Sequence, residues 1–139
     1  MGRLIGLDFG TARVGVAISD VEQRVATPLE VIDGTKDHLM IGAVTGLVEE
    51  WEPVGIVVGD PINMDGSRGS SSRRSLRLAK RLGEATGIPV MTYDERLTTV
   101  IAHRMLDDGG VPSKNRRDMI DMVAAQVILQ GWMDKNAYE

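Results

Sequence analysis

The chain places a carboxylate at the end of an apolar strand near its N-terminus, and this feature constrains its fold and its chemistry together. Residues 4–9 read Leu-Ile-Gly-Leu-Asp-Phe, so Asp8 closes a segment that is typical of a buried strand. A carboxylate removed from water is costly unless another group compensates its charge. Asp8 is therefore expected either to form a hydrogen-bonded turn with Gly10 and Thr11 or to bind a partner.

The remaining pattern of apolar residues predicts an α/β fold. Strands are expected over residues 4–9, 13–19, 24–32, 55–59 and 88–93, and helices over residues 37–51, 73–86, 98–107 and 115–135. Pro28 favours an edge position for the third strand, and the wholly apolar segment 55–59 is typical of a central parallel strand. We expect serines to cap the second helix and Gly87 to end it. Three strands followed by crossover units give a mixed sheet with helices on its faces.

Length and composition exclude several classes of protein. The 139 residues, of which 42% are hydrophobic, predict one globular domain over residues 1–139. The chain has no cysteine, which excludes disulfides and thiolate metal sites. It shows no apolar signal core and no run long enough to span a membrane, so we expect a cytoplasmic protein.

Positive charge is concentrated in one segment of an acidic chain. The net charge is −4, yet the stretch from Gly66 to Arg81 holds six basic residues and no acid. This segment and the polar loop before it follow the carboxyl end of the predicted central strand, where ligands bind in open α/β sheets. Phosphate contacts are one interpretation and an Asp-Gly turn with a solvated helix face is the other. The candidate substrate-binding residues here are Asn63, Asp65, Gly66, Arg68, Arg73 and Arg77. A second basic group, immediately before the Asp121 helix, consists of Lys114, Arg116 and Arg117, and its two arginines are further candidates.

Two further acids stand at informative positions. Glu95 follows the last strand and points to the opposite side from Asp94; the alternative is an acid favoured by the dipole of the next helix. Asp121 lies on an almost wholly apolar helix, on one face with Ala124 and Ala125. An acid on such a face is buried and must either bind a ligand or form a salt bridge with Arg117 or another arginine.

Together these acids predict metal-dependent phosphate chemistry. Asp8, Glu95 and Asp121 are oxygen donors, and oxygen donors bind hard divalent cations. His38 and His103 lie in different predicted helices without metal spacing. The five aromatic residues are scattered along the sequence, so no base-stacking platform is evident.

Four segments, in order and spacing, resemble the YqgF/RuvX family, whose members are described both as Holliday junction resolvases and as pre-16S rRNA nucleases. They are IGLDFGTARVGVAISD (5–20), GDPINMDGSRG (59–69), DERLTT (94–99) and RRDMIDMVAAQVILQ (116–130). The resemblance implies a ribonuclease H-like fold, with a mixed five-stranded sheet flanked by helices. It also implies a nuclease site with catalytic and metal-binding acids at Asp8, Glu95 and Asp121. Asp60 departs from the family pattern, in which an apolar residue commonly precedes the proline.

The resemblance implies a metal-dependent nuclease, and we expect it to use Mg²⁺ or Mn²⁺. We expect Arg96, the loop over residues 63–66 and the basic helix over residues 73–86 to hold the substrate strand. The substrate is either the 5′ end of the pre-16S rRNA or a four-way DNA junction, and the nuclease would act as a monomer or a homodimer. Junction resolution needs two symmetric sites. A non-catalytic nucleic-acid-binding ribosome-assembly factor is the alternative of another class. Asp-Phe-Gly-Thr also resembles the first phosphate loop of actin-like ATPases and sugar kinases, but 139 residues cannot supply their second domain.

Overall fold

A computed structural model describes residues 1–96, 98–110 and 117–137, without the side chains of Thr99, Arg117 and Asp118. It contains one five-stranded sheet in the order β3-β2-β1-β4-β5. The strands are β1 (Leu4–Phe9), β2 (Arg13–Ser19), β3 (Ala26–Asp33), β4 (Gly55–Asp60) and β5 (Val90–Asp94). β2 pairs antiparallel with both β1 and β3, whereas β4 pairs parallel with β1 and β5. The expected mixed sheet is confirmed, with β4 internal and parallel and the proline-containing β3 at an edge.

Helices cover both faces of the sheet. The described helices are α1 (Asp37–Trp51), α2 (Ser70–Thr86), α3 (Thr98–Asp108) and α4 (Arg117–Asn136). The side chains of Ile5 and Leu7 face α1 and α2, and Leu4 faces α4 on the other side, because side chains alternate along a strand. α3 packs on the outer side of α4 through Ala102 and Leu106. No helix within the described ranges has both the length and the apolarity needed to cross a membrane.

The structure corrects three predicted boundaries. β3 begins at Ala26 rather than residue 24, because the amides of Arg24 and Val25 donate to Asp20 Oδ1 in the preceding turn. α2 begins at Ser70, and the predicted serine cap is wrong: Gly69 is the N-cap and forms no side-chain cap bond. β5 begins at Val90 rather than residue 88. The prediction that Gly87 ends α2 is confirmed, since Gly87 takes the left-handed conformation with φ 74°. The predicted start of the last helix at residue 115 lies outside the described residues.

Candidate active site

The candidate site forms on the α4 face of the sheet, at the end of β1. Asp8 shares this face with Leu4 and is partly buried. It pairs across the ladder with Gly15 of β2, and β4 lies on its other side. Asp8 thus stands on the central strand with a neighbouring strand on each side, where a charge has little access to water.

Gly15 lets α4 approach the sheet closely beside Asp8. A Cβ atom at this position would overlap the backbone carbonyl of Asp121, so any larger residue would push the start of α4 away. Ala124 and Ala125 are buried beneath the same part of the helix, as their small size and spacing predicted. Burial raises the pKa of the Asp8 carboxyl, and the Asp121 charge, which the close approach brings near, raises it further.

Glu95 reaches Asp8 from the far side of β4. The Glu95 amide donates to the backbone oxygen of Asp60, which fixes the chain where it leaves β5. Its carboxyl group then lies over Gly59, where a Cβ atom would come within 2.7 Å of Glu95 Oε2. The missing side chain at Gly59 therefore leaves the space through which Glu95 forms a hydrogen bond with Asp8.

Burial and charge repulsion make Glu95 and Asp8 share one proton near neutral pH. Loss of hydration and then repulsion from Asp8 raise the pKa of Glu95 to about 9, with smaller contributions from Asp60 and Asp94. Burial also raises the pKa of Asp8, although the hydrogen bond from Glu95 opposes the increase. The protonated Glu95 carboxyl therefore donates to the Asp8 carboxylate.

Asp121 is held beside this pair by an arginine that the sequence analysis did not single out. Arg13 Nε lies 3.0 Å from Asp121 Oδ2, and the Asp121 side chain is 19% exposed. Strand alternation places Arg13 on the same face as Gly15, and this is the signal that would have identified it. Asp121 therefore forms a salt bridge with an arginine other than Arg117, which was one of the expected alternatives. This salt bridge does not remove Asp121 from the site, since the Asp121 charge still acts on Asp8.

The chemistry of these side chains fits a divalent cation in part. Asp8 and Glu95 offer adjacent carboxyl oxygens, which are suitable ligands for Mg²⁺ or Mn²⁺ once the shared proton is lost. However, among the residues that the structure describes, no three acidic or histidine side chains are already arranged as a set of metal ligands. Asp121 lies against Arg13 and would have to turn from it to become a third ligand.

The loop before α2 is an exposed turn with its own hydrogen bonds. Asn63 O accepts from the amide of Gly66, which has φ 87°. Asp65 Oδ1 accepts from both the amide and the hydroxyl of Ser67, and these two bonds lower the pKa of Asp65. The Asp-Gly turn is thus present at an exposed position beside the strand ends.

Asp60 ties the same loop to the start of α2. Its carboxylate is 2% exposed and accepts from Arg68 Nη1 at 2.7 Å and from Ser72 Oγ at 2.5 Å. Arg68 is therefore engaged in an ion pair rather than facing solvent alone. The negative charge of Asp60 also contributes to the raised pKa of Glu95. The acid at this position, in place of the apolar residue expected from the family pattern, therefore affects the candidate site.

The other basic candidates differ in their distance from the acids. Arg96 follows Glu95 and forms a two-pronged ion pair with Asp94, including a contact of 2.6 Å from Nη2 to Oδ2. Arg73 and Arg77 are exposed, but α2 packs on the opposite face of the sheet from Asp8. Arg77 also lies about 6 Å further along the helix axis than Arg73. Arg116 lies outside the described residues, as does the side chain of Arg117.

Comparisons with solved structures identify the fold. RuvC from T. thermophilus in complex with a Holliday junction substrate matches with a TM-score of 0.65 at 16% identity, over 97% of this chain and 96% of that one. The Fowlpox virus resolvase matches with a TM-score of 0.59 at 11% identity, over 96% and 97% of the two chains. The sheet order and the flanking helices define a ribonuclease H-like fold of the kind found in these nucleases.

Sequence comparison then gives the family. The model of the RuvX family, described as Holliday junction resolvase, matches residues 2–135, and the chain belongs to this family. A relative from Anaeromyxobacter sp. (strain Fw109-5), named "Putative pre-16S rRNA nuclease", is 42% identical over 132 residues, 95% of this chain and 96% of its own length. A relative of the same name from Rhodococcus opacus (strain B4) is 43% identical over 141 residues, 98% and 79% of the two chains. The chain is thus a member of a nuclease family, whose enzymes hydrolyse phosphodiester bonds.

Proposed function

We propose that this protein is a metal-dependent nuclease that processes the 5′ end of the pre-16S rRNA in ribosome biogenesis. Its catalytic and metal-binding residues would be Asp8, Glu95 and Asp121. The observation that carries the proposal is the hydrogen bond between the Glu95 and Asp8 carboxyl groups, with a Glu95 pKa of about 9. Two buried acids that repel each other favour any cation that can replace their shared proton.

Each residue near the acids has a distinct role in this proposal. Asp8 and Glu95 would hold the cation, Mg²⁺ or Mn²⁺, after releasing their proton. Arg13 would hold Asp121 beside them and limit the repulsion among three carboxylates until Asp121 turns toward the cation as the third ligand. When bound, a divalent cation supplies a more acidic water and compensates charge on the leaving oxygen. Because the ligands must lose a proton first, metal affinity should increase with pH.

Substrate contacts would come from basic residues at this edge of the sheet and from the exposed arginines of α2. Arg96 directly follows Glu95, and the exposed loop lies beside it, with Arg96 Nη1 3.5 Å from the backbone oxygen of Met64. Phosphate contacts from such residues supply affinity without sequence preference. The proposed substrate-binding residues are Asn63, Asp65, Gly66, Arg68, Arg73, Arg77, Arg96, Arg116 and Arg117.

The RNA substrate follows the names of the 40–43% identical relatives. A Holliday junction resolvase acting in DNA recombination and repair is the second candidate, and the family description and the RuvC-like fold favour it. That activity would require a two-fold dimer, whereas RNA processing permits a monomer or a homodimer. A non-catalytic ribosome-assembly factor would bind RNA without cleaving it.

Cleavage assays with purified protein separate these functions. A 5′-extended pre-16S fragment and a four-way DNA junction would each be incubated with and without Mn²⁺. We expect metal-dependent cleavage of the RNA, and a loss of about 100-fold or more in Asp8→Asn with binding retained. Glu22→Gln, an exposed acid, is the matched control and should cleave normally.

The outcomes distinguish the candidates clearly. Paired nicks at symmetric positions in the junction, with the RNA left intact, would support the resolvase instead. RNA binding without cleavage under any metal condition would support the assembly factor. Normal cleavage by Asp8→Asn would show that the proposed acids are not the catalytic ones.

A further inference from the structure

A polar groove lies between β5 and the C-terminal half of α4, beside the candidate active site. Its volume is about 520 Å³, within the range of about 300–1,000 Å³ that is usual for small-ligand sites. One end of the groove is formed by Arg96, the residue after Glu95. The groove therefore lies next to the candidate active site, which it adjoins through Arg96.

Two aromatic side chains line this groove although they are far apart in the sequence. Tyr93 comes from β5 and Trp132 from α4, and both are partly buried. The Tyr93 ring lies so close to α4 that a Cβ atom at Gly131 would come within 2.5 Å of its hydroxyl oxygen. Close packing of this kind holds the ring in place at the wall of the groove.

Cationic and amide groups accompany the aromatic rings. Lys135 and Asn136 lie at the α4 end and Arg96 at the β5 end. The acid in the groove, Asp94, is paired with Arg96 by contacts of 2.9 Å to Nε and 2.6 Å to Nη2. This pair neutralises Asp94 and holds the planar guanidinium in one orientation, so Lys135 supplies the attraction for a phosphate.

Aromatic faces combined with cations along a groove are the features by which proteins bind single-stranded nucleic acid. We propose that this groove binds an unpaired nucleotide of the substrate strand, next to the bond that is cleaved, by stacking its base on Trp132 or Tyr93. The proposal rests on the proposed nuclease function, and it deepens that function by naming single-stranded RNA as the substrate form. A base in a duplex is already stacked and paired, so it has no free face for these rings.

The chain offers a direct optical test because it contains only two tryptophans. Trp51 lies on α1, on the other face of the sheet, under the Arg3 guanidinium. The variant Trp51→Phe therefore reports on Trp132 alone, and Trp132→Phe reports on Trp51 alone as the matched control. Each would be titrated with an unlabelled oligouridine in EDTA, so that binding is followed without cleavage.

We expect saturable quenching of Trp132 and none of Trp51. A blunt RNA duplex of equal length should leave Trp132 unchanged. Trp132→Ala should weaken binding by about 5- to 150-fold, as for loss of one stacked base. If that variant fails to fold, Lys135→Ala gives an independent measurement: it should lower the salt slope of binding by about 0.7, whereas the exposed control Lys36→Ala should not.

Failure of this proposal differs from failure of the nuclease proposal. Absent or equal quenching in the two single-tryptophan variants, in a protein that still cleaves RNA with metal, would overturn the groove alone. Quenching by the duplex as strong as by the single strand would overturn the assignment to unpaired nucleotides. Selective quenching of Trp132 in a protein that never cleaves would support the groove while refuting the nuclease.

Discussion

In metal-free buffer, the stability of this protein should fall as the pH rises from about 5 to 8, with Glu95 as the source. The pKa of Glu95 is about 9 in the folded protein, against an ordinary value of 4.5. Between these values the folded chain keeps a proton that the unfolded chain has released. Unfolding therefore releases a proton in this window, and higher pH favours the unfolded state.

The magnitude follows from the size of the pKa difference. Each pH unit inside the window is worth about 1.4 kcal/mol for one proton, which sets a ceiling of about 4 kcal/mol between pH 5 and pH 8. Asp8 also makes the stability fall as the pH rises, because burial raises its pKa as well. Solvent that reaches the ionised pair reduces the effect, and we expect a loss of about 2 kcal/mol over the window.

Urea unfolding in EDTA at several pH values would measure this loss directly. Glu95→Gln keeps a donor toward Asp8 but cannot ionise, so its stability should vary much less with pH. The difference between the wild type and this variant separates the contribution of Glu95 from that of all other ionisable groups. Glu22→Gln, which alters an exposed acid, should retain the full pH dependence.

The reasoning would be refuted by a wild-type stability that stays constant or increases over this window. It would equally be refuted if Glu95→Gln retained the wild-type slope. Addition of Mn²⁺ supplies a further check. A cation that takes the place of the shared proton should restore stability at pH 8, and more so in the wild type than in Glu95→Gln.

Further variants test the surroundings of the acids. Gly15→Ala should lower the free energy of unfolding in urea by about 1–3 kcal/mol, because the added Cβ overlaps the carbonyl of Asp121. The control Gly46→Ala places its Cβ in open space on α1 and should instead raise the free energy of unfolding by about 0.5–1 kcal/mol. Asp60→Asn removes a buried charge that forms an ion pair with Arg68 and accepts a hydrogen bond from Ser72. It should cost about 1–3 kcal/mol of stability and lower the pKa of Glu95, measured by carboxyl NMR titration. The double variant Arg73→Ala, Arg77→Ala should raise KM without changing kcat, and should lower the salt slope of RNA binding by about 0.7 per arginine. An unaltered salt slope would show that this helix face is only solvated.

The elements of the fold follow closely from the local sequence. The apolar segment 55–59 predicted a central parallel strand, and spacing predicted a helix over residues 37–51, which are the bounds of α1. Asp8, Glu95 and Asp121 were singled out for a similar reason, since burying a charge is costly wherever the chain folds. Periodicity and burial cost act over a few residues, so the sequence alone determines them.

The partners of those acids depend on tertiary structure. The ion pair between Arg13 and Asp121 joins residues 108 positions apart, and the shared proton joins Asp8 to Glu95 across β4. Tyr93 and Trp132 looked like scattered aromatics in the sequence, yet they line one groove. Such contacts are set by the register of the sheet and by how closely α4 packs on it, and neither is encoded in the spacing of any single segment.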